Sequence, residues 1–315
     1  MIWTPYVPVG DQLIALGGAW LWDALFGEPP DTIHPVVWMG RLIGALAGKP
    51  DGLAPRRAFV RGALVAFLVP AIFWAGTSLV LLGLGDSRVL RLAVMVWLLK
   101  STFARAALAK AALVVRRALD EGDLHAARVG LRSLCSRDAT QLGEAEVAAG
   151  AIESVAENAS DSVVAPLFFF ALFGLPGAMA YRAINTADAM IGYRGAYEYL
   201  GKAAARLDDV ANFIPARLTA ALILAAGTAL GLDARRAFGI MRRDAKKTES
   251  PNAGWPMAAM AGLLGTRLTK PGAYALGDPV VPTDATGIAR AVQVLRLAGY
   301  LGLALTAQLV VWAAS

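Results

Sequence analysis

Residues 62–85 run for about 24 positions without a charged side chain. A helix rises about 1.5 Å per residue, so a run of that length crosses the roughly 30 Å hydrocarbon core of a bilayer. Residues 297–315 form a second uncharged run. Residues 162–181 form a third, interrupted by Gly174, Pro176 and Gly177, which predicts a broken span or a re-entrant hairpin. Residues 212–232 read as a span with Arg217 snorkelling near one end. Residues 11–27 are a shorter candidate carrying Asp11 and Asp23. Residues 89–100 are apolar but short, and begin a helix that runs on into charged sequence. Pro70 is expected to kink the first of these helices.

Composition agrees. Hydrophobic residues make up 57% and charged residues 17%, against about 45–50% and about 25% in soluble domains. Disorder, collagen and coiled coil are excluded. A disulfide scaffold is excluded by a lone cysteine, Cys135. The expectation is an all-α, polytopic integral membrane protein with about five transmembrane helices plus amphipathic and cytoplasmic helices. It is read as a single membrane domain, 1–315, with a charge-rich helical insertion at about 101–161 and a basic loop at about 233–296. Residues 233–296 carry ten Lys/Arg against five Asp/Glu, the bias of a cytoplasmic segment. The net charge of +6 is explained by that bias, and no nucleic-acid partner is expected. The N-terminus has neither a basic n-region nor an A-x-A-like site, so no cleaved signal peptide is expected.

Polar residues recur at the ends of these apolar runs. Asp23, Glu28 and His34 surround a Pro-Pro pair that stops the preceding helix and stiffens the boundary. Glu153, Glu157 and Asp161 are spaced i, i+4, i+8, with Asn158 and Ser160 alongside and Arg137 upstream. Like charges at i, i+4 repel, so a helix gains nothing from this row unless a cation sits on it. Magnesium takes one or two carboxylates plus phosphate oxygens. Arg182, Asn185 and Asp188 share a helix face, followed by Arg194; Arg206, Asp209 and Asn212 repeat the pattern before a span. Carboxylates at a membrane edge are costly and mark function. Lys246, Lys247, Asn252 and Trp255 lie on a turn-rich basic segment where lysines could bind phosphate as point charges. There is no P-loop, no dinucleotide-binding glycine motif, no zinc cluster and no nucleophile elbow.

Taken in order, these stretches resemble the CobD/CbiB family, the adenosylcobinamide-phosphate synthases of cobalamin biosynthesis. The resemblance rests on DALFGEPP (23–30), HPV (34–36), GRLI (40–43), AIESVAENASD (151–161), VVAPL (163–167), NTADAMIGYR (185–194), RLDD (206–209), IPARL (214–218) and SPNAGWP (250–256). Ala159, Ser162 and the Cys135-Ser136 pair depart from the expected pattern, and none removes a carboxylate. AmpE-like membrane proteins share parts of it.

The resemblance implies an ATP- and magnesium-dependent ligase of the bacterial cytoplasmic (inner) membrane. It would join adenosylcobyric acid to (R)-1-aminopropan-2-ol or its O-phosphate through an amide. On that reading Glu153, Glu157 and Asp161 are candidate metal ligands, and Glu157, Asp161, Asp188 and Asp209 candidate catalytic carboxylates. Asp23, His34, Arg137, Asn158, Arg182, Asn185, Arg194, Arg206, Asn212, Lys246, Asn252 and Trp255 are the candidate substrate- and phosphate-binding residues. The lipid bilayer and other cobalamin-biosynthesis enzymes are candidate partners. A corrinoid transporter and a non-catalytic membrane partner are the alternatives. Five simple spans would put successive motifs on alternate sides of the membrane. A shared site therefore needs the break at 174–177 to act as a hairpin, an extra crossing, or a cavity at the membrane edge open to the cytoplasm.

Overall fold

The computed structural model describes residues 7–313 except 50, 51, 53, 86 and 271; the last two residues of the 297–315 run lie outside the described residues. Thirteen α-helices and one two-stranded hairpin are present among the described residues. The chain divides into two compact units, one of residues 1–104, 165–211 and 303–315, the other of residues 105–164 and 212–302. Four helical stretches are long and apolar enough to cross a membrane: Pro55–Gly83, Arg88–Asp120, Glu144–Ile191 and Ala285–Trp312. Lys202–Ala211 and Phe213–Ala229 make a fifth if they form one bent span. The protein is an all-α, multi-pass membrane protein, as its sequence predicts.

In the first unit, α1 (Val9–Leu25) packs on α4 (Arg88–Lys100), and α8 (Ala165–Ile191) is flanked by α2 (Pro35–Ala47), α3 (Pro55–Gly83) and α9 (Lys202–Ala211). His34 caps α2: its Nδ1 accepts the Val36 N–H at 3.2 Å, and Pro35 occupies the first helical position, where no N–H is needed. Pro70 sits inside α3 without ending it.

The expected break falls in α8. Gly174 has φ 66° and ψ −164°, a backbone state open only to glycine. The Phe169 and Tyr181 rings stack with centroids 4.8 Å apart. In a straight helix, residues twelve apart are separated by about 18 Å. The chain therefore reverses at Gly174, and the arm after it runs back along the arm before it, so that Tyr181 meets Phe169. Gly177 is held at the crossing: a Cβ there would lie 2.4 Å from the Phe173 Cβ and 2.9 Å from the Phe169 carbonyl oxygen. Gly177→Val is expected to cost about 3 kcal/mol through overpacking and to lower the thermal unfolding midpoint in detergent, whereas Gly76→Val, with open space around its Cα, leaves it unchanged.

In the second unit, α7 (Glu144–Ala159) is the central helix. Every residue from Val147 through Ala156 is buried, because α5 (Arg105–Asp120), α6 (Leu124–Leu131), α12 (Gly254–Leu264) and strand β1 (Leu268–Lys270) all pack on it. Glu146 accepts the Gly143 N–H at 2.8 Å and fixes its start. Its far end widens into a π turn, Ser160–Val164, that carries Asp161; such turns are rare and recur at functional sites. The segment expected as a basic loop at 233–296 is instead folded. It forms α11 (Ala234–Asp244), α12, and strand β1 paired antiparallel with β2 (Tyr274–Leu276), with Leu268 opposite Leu276, and it then enters α13 (Ala285–Trp312).

Candidate functional site

A cavity of about 450 Å³ lies in the second unit, within the size range of small-ligand sites. Helix α7 contributes Glu153, Ser154 and Glu157. The preceding loop contributes Cys135, Ser136 and Arg137, the turn before α12 Thr248 to Ser250, and the hairpin Lys270 and Tyr274. Two stretches singled out in the sequence thus meet in one concave wall, from residues 91 to 115 positions apart.

Its electrostatics are set by buried charges. Arg137 donates to the Glu153 carboxylate in a short ion pair, with both side chains largely out of solvent. Burial disfavours the Arg137 cation, but the Glu153 charge outweighs that and raises its pKa, so it stays protonated. The Tyr274 phenol is pushed well above its ordinary range, by burial first and then by the negative charges of Glu153 and Glu157. At neutral pH it is a neutral hydrogen-bond donor. Lys270 brings a second positive charge toward Glu153. Asn158, one residue beyond Glu157, turns back to the Ser154 carbonyl at 3.0 Å and accepts from Ser162 at 3.4 Å. Asp161 is half-buried on the π turn. Among the described residues no group of three or more His, Cys, Asp or Glu is placed to hold a metal ion, and Glu153 is engaged by Arg137. No all-protein cage is therefore present among the described residues, and a magnesium ion here would need phosphate oxygens to complete its shell beside Glu157 or Asp161.

Beside this wall, Arg217 lies over the Phe213 ring at 3.7 Å and the Trp255 ring at 4.8 Å, and donates to the Asn252 side chain at 3.1 Å. Asn212 is buried at the start of α10 (Phe213–Ala229). Lys246 does not line the cavity and is exposed. Neighbouring Asp244 is fully buried and receives Arg243 at 2.8 Å, Lys247 at 2.5 Å and the Gly277 N–H at 2.8 Å. This ties the end of α11 to the end of the hairpin. Burial opposes the Asp244 charge, but those donors win and hold its carboxyl well below the usual range. Its stabilising contribution is complete above the carboxylate range of the unfolded chain and fades as pH falls toward the depressed folded value. Asp244→Asn is expected to cost about 3 kcal/mol, the low end for a broken buried pair because Arg243 and Lys247 remain half exposed. It should flatten the acid limb of a stability-versus-pH curve; an unchanged limb would reject the role.

The first unit holds two further clusters. Lys100 is fully buried, 3.4 Å from Asp23, 2.8 Å from Glu28 and 2.9 Å from the Phe103 carbonyl. His34 Nε2 faces Glu28 at 3.2 Å, and since Nδ1 accepts from Val36, Nε2 is the donor. Burial works against the Glu28 charge, yet His34 and Lys100 keep its carboxyl below the usual range. Asp23 and His34 are therefore held in a buried ionic knot rather than presented to solvent. In the second cluster, Arg182 donates to Asn185 at 3.3 Å, Asn185 to Asp208 at 3.5 Å, and Arg206 to Asp209 at 3.5 Å. Asp188 lies within electrostatic reach of Asp209. Arg194 is exposed on the loop after α8.

A profile described as CobD/Cbib protein matches residues 16–296, most of the chain. The chain belongs to the CobD/CbiB family. It is similar to the cobalamin biosynthesis protein CobD of Dehalococcoides mccartyi, at 47% identity over 263 residues, 82% of this chain and 85% of that protein. Identity to the CobD of Klebsiella pneumoniae is 37% over 305 residues, 93% of this chain and 96% of that one. Identity to the CbiB of Salmonella paratyphi B is 36% over 299 residues, 91% and 94% of the two chains. No solved structure matches the chain. As a CobD/CbiB protein, it has a role in cobalamin biosynthesis.

Lys100, Arg217, Lys270 and Tyr274 were not singled out as ligand-binding in the sequence. Lys100 did carry a signal: it is a cation closing an apolar run, where charge is costly. Lys270 and Tyr274 carried none, since strands of three residues show no periodicity.

Proposed function

We propose that this chain is an ATP-dependent ligase of the bacterial cytoplasmic membrane that joins adenosylcobyric acid to (R)-1-aminopropan-2-ol or its O-phosphate. The observation that carries the reading is the cavity where Arg137, Lys270, Glu153, Glu157 and Tyr274 converge. A carboxylate and an amine do not condense in water, so the acid must be activated. Transfer of the terminal phosphoryl group of ATP to the corrin carboxylate oxygen gives an acyl phosphate and ADP. The amine nitrogen then attacks the acyl carbon, phosphate leaves, and the nitrogen loses a proton. Magnesium would be held by phosphate oxygens with Asp161 and would neutralise phosphate charge. Lys270 supplies a cation to the phosphate oxygens, and Tyr274 donates a hydrogen bond from its neutral phenol. Glu157 takes the amine proton. Arg137 holds Glu153 and shapes the wall. A cavity of about 450 Å³ suits a phosphate-bearing small substrate; the corrin ring is much larger and would present its carboxylate at the mouth.

The test is turnover by the detergent-purified chain with adenosylcobyric acid, ATP, magnesium and either amine, with products read by mass spectrometry. Amide from the isolated chain supports the ligase, and the better amine identifies the substrate. Corrinoid binding without product would overturn it in favour of a transporter or a non-catalytic partner.

A further inference from the structure

Helix α11 presents two opposite faces. Ala237, Ile240, Met241 and Asp244 are buried against the protein. On the other side, Arg235, Phe238 and Arg242 recur at i, i+3 and i+7, and Lys246 continues the row beyond the helix end; all four are exposed. Phe238 is 49% exposed, and the Arg242 guanidinium lies over its ring. The other basic residues of the helix are committed elsewhere: Arg236 to the Gly262 carbonyl at 3.1 Å and Arg243 to Asp244 and Asp278. The one carboxylate within the helix, Asp244, points inward. The exposed row is thus positive along its length, with a single aromatic ring set into it.

Its position in the chain says what it faces. The apolar helix α10 ends at Ala229, and only residues 230–233 separate it from α11. Leu230 on that connection is 41% exposed. A helix entering so soon after an apolar segment of near-bilayer length starts at the level of the lipid headgroups. The charge bias of 233–296 assigns that level to the cytoplasmic leaflet, where anionic lipids concentrate.

We propose that the exposed face of α11 binds the headgroups of anionic phospholipids, with Arg235, Arg242 and Lys246 on phosphates and the Phe238 ring at the headgroup–acyl boundary. Basic side chains at a membrane surface each contribute about a five-fold preference for anionic lipid. This inference does not depend on the reaction assigned above.

The experiment uses the full chain reconstituted in discs of phosphatidylcholine with a minor fraction of phosphatidylglycerol. Lipid retained after mild detergent extraction is measured by mass spectrometry. The intact chain is expected to retain phosphatidylglycerol several-fold above its bulk fraction, and the enrichment is expected to fall as salt is raised. The R235Q/R242Q variant should lose most of the enrichment, while R235K/R242K keeps it. Retention at the bulk fraction by the intact chain, or equal retention by R235Q/R242Q, overturns the proposal. If R235Q/R242Q does not fold, the salt titration of the intact chain decides: enrichment insensitive to salt rejects it. A face that docks a soluble protein instead leaves retained lipid at the bulk fraction.

Discussion

Glu157→Gln is expected to reduce amide formation by about 10²- to 10⁴-fold, the range for loss of a general base, while leaving the unfolding midpoint near that of the parent. The contrast with its neighbour one turn back makes the test sharp. Both carboxylates line the same cavity. Glu153 is nearly fully buried and bound to Arg137, whereas Glu157 is half-buried and its charge reaches the Tyr274 phenol. Removing the Glu153 charge strands the Arg137 guanidinium in a largely buried position, so Glu153→Gln should act on stability, at about 3–5 kcal/mol. Restoring neutrality with the Arg137→Gln, Glu153→Gln pair should recover part of that loss. Glu157→Gln should act on kcat. Asp161→Asn, on the π turn, is the companion variant for magnesium dependence. Unchanged turnover and unchanged magnesium dependence in both Glu157→Gln and Asp161→Asn would remove the carboxylates from the chemistry.

Lys100→Met should destabilise the first unit by about 3–5 kcal/mol, the cost of removing one partner of a buried ion pair. The ammonium is fully buried and satisfies Asp23, Glu28 and the Phe103 carbonyl together. Methionine fills much of the same volume but leaves those oxygens without their cation. The Pro-Pro turn at residues 29–30 then loses the contact that ties it to α4. The measurement is the loss of folded protein on heating in detergent, together with protease sensitivity at that turn. Lys100→Arg keeps the charge but not the compact three-donor geometry, and should be intermediate. A Lys100→Met protein as heat-stable as the parent would show that the knot contributes nothing to the fold.

Much of the architecture was legible in the chain. Uncharged runs of bilayer length are a strong constraint, because a helix in hydrocarbon must satisfy its own backbone. The break at 174–177 was readable for the same reason: glycine and proline interrupt that ladder, and the freed groups must be covered. The order of the motifs was enough to place the chain in its family. The row Glu153, Glu157, Asp161 was correctly placed on helical sequence, but its surroundings were not readable. The central position of α7 depends on four elements packing around it, and burial on every face leaves no amphipathic stripe to detect.

The sequence by itself therefore determined the medium, most of the helices long enough to cross it and the residues of candidate interest, since these follow from local runs of side chains and their spacing; the candidate at 11–27 forms a 17-residue helix that is not among those of membrane length, and the short run at 89–100 belongs to one that is. Only the tertiary structure decided three things. It paired Arg137 with Glu153 and Lys100 with Asp23 and Glu28, across 16, 77 and 72 residues. It reversed the chain at Gly174 so that Tyr181 returns to Phe169. It brought a hairpin of two three-residue strands over the wall of the cavity. The physical reason is the same each time. A buried charge takes whichever partner packing delivers, and packing brings together segments whose separation along the chain carries no signal.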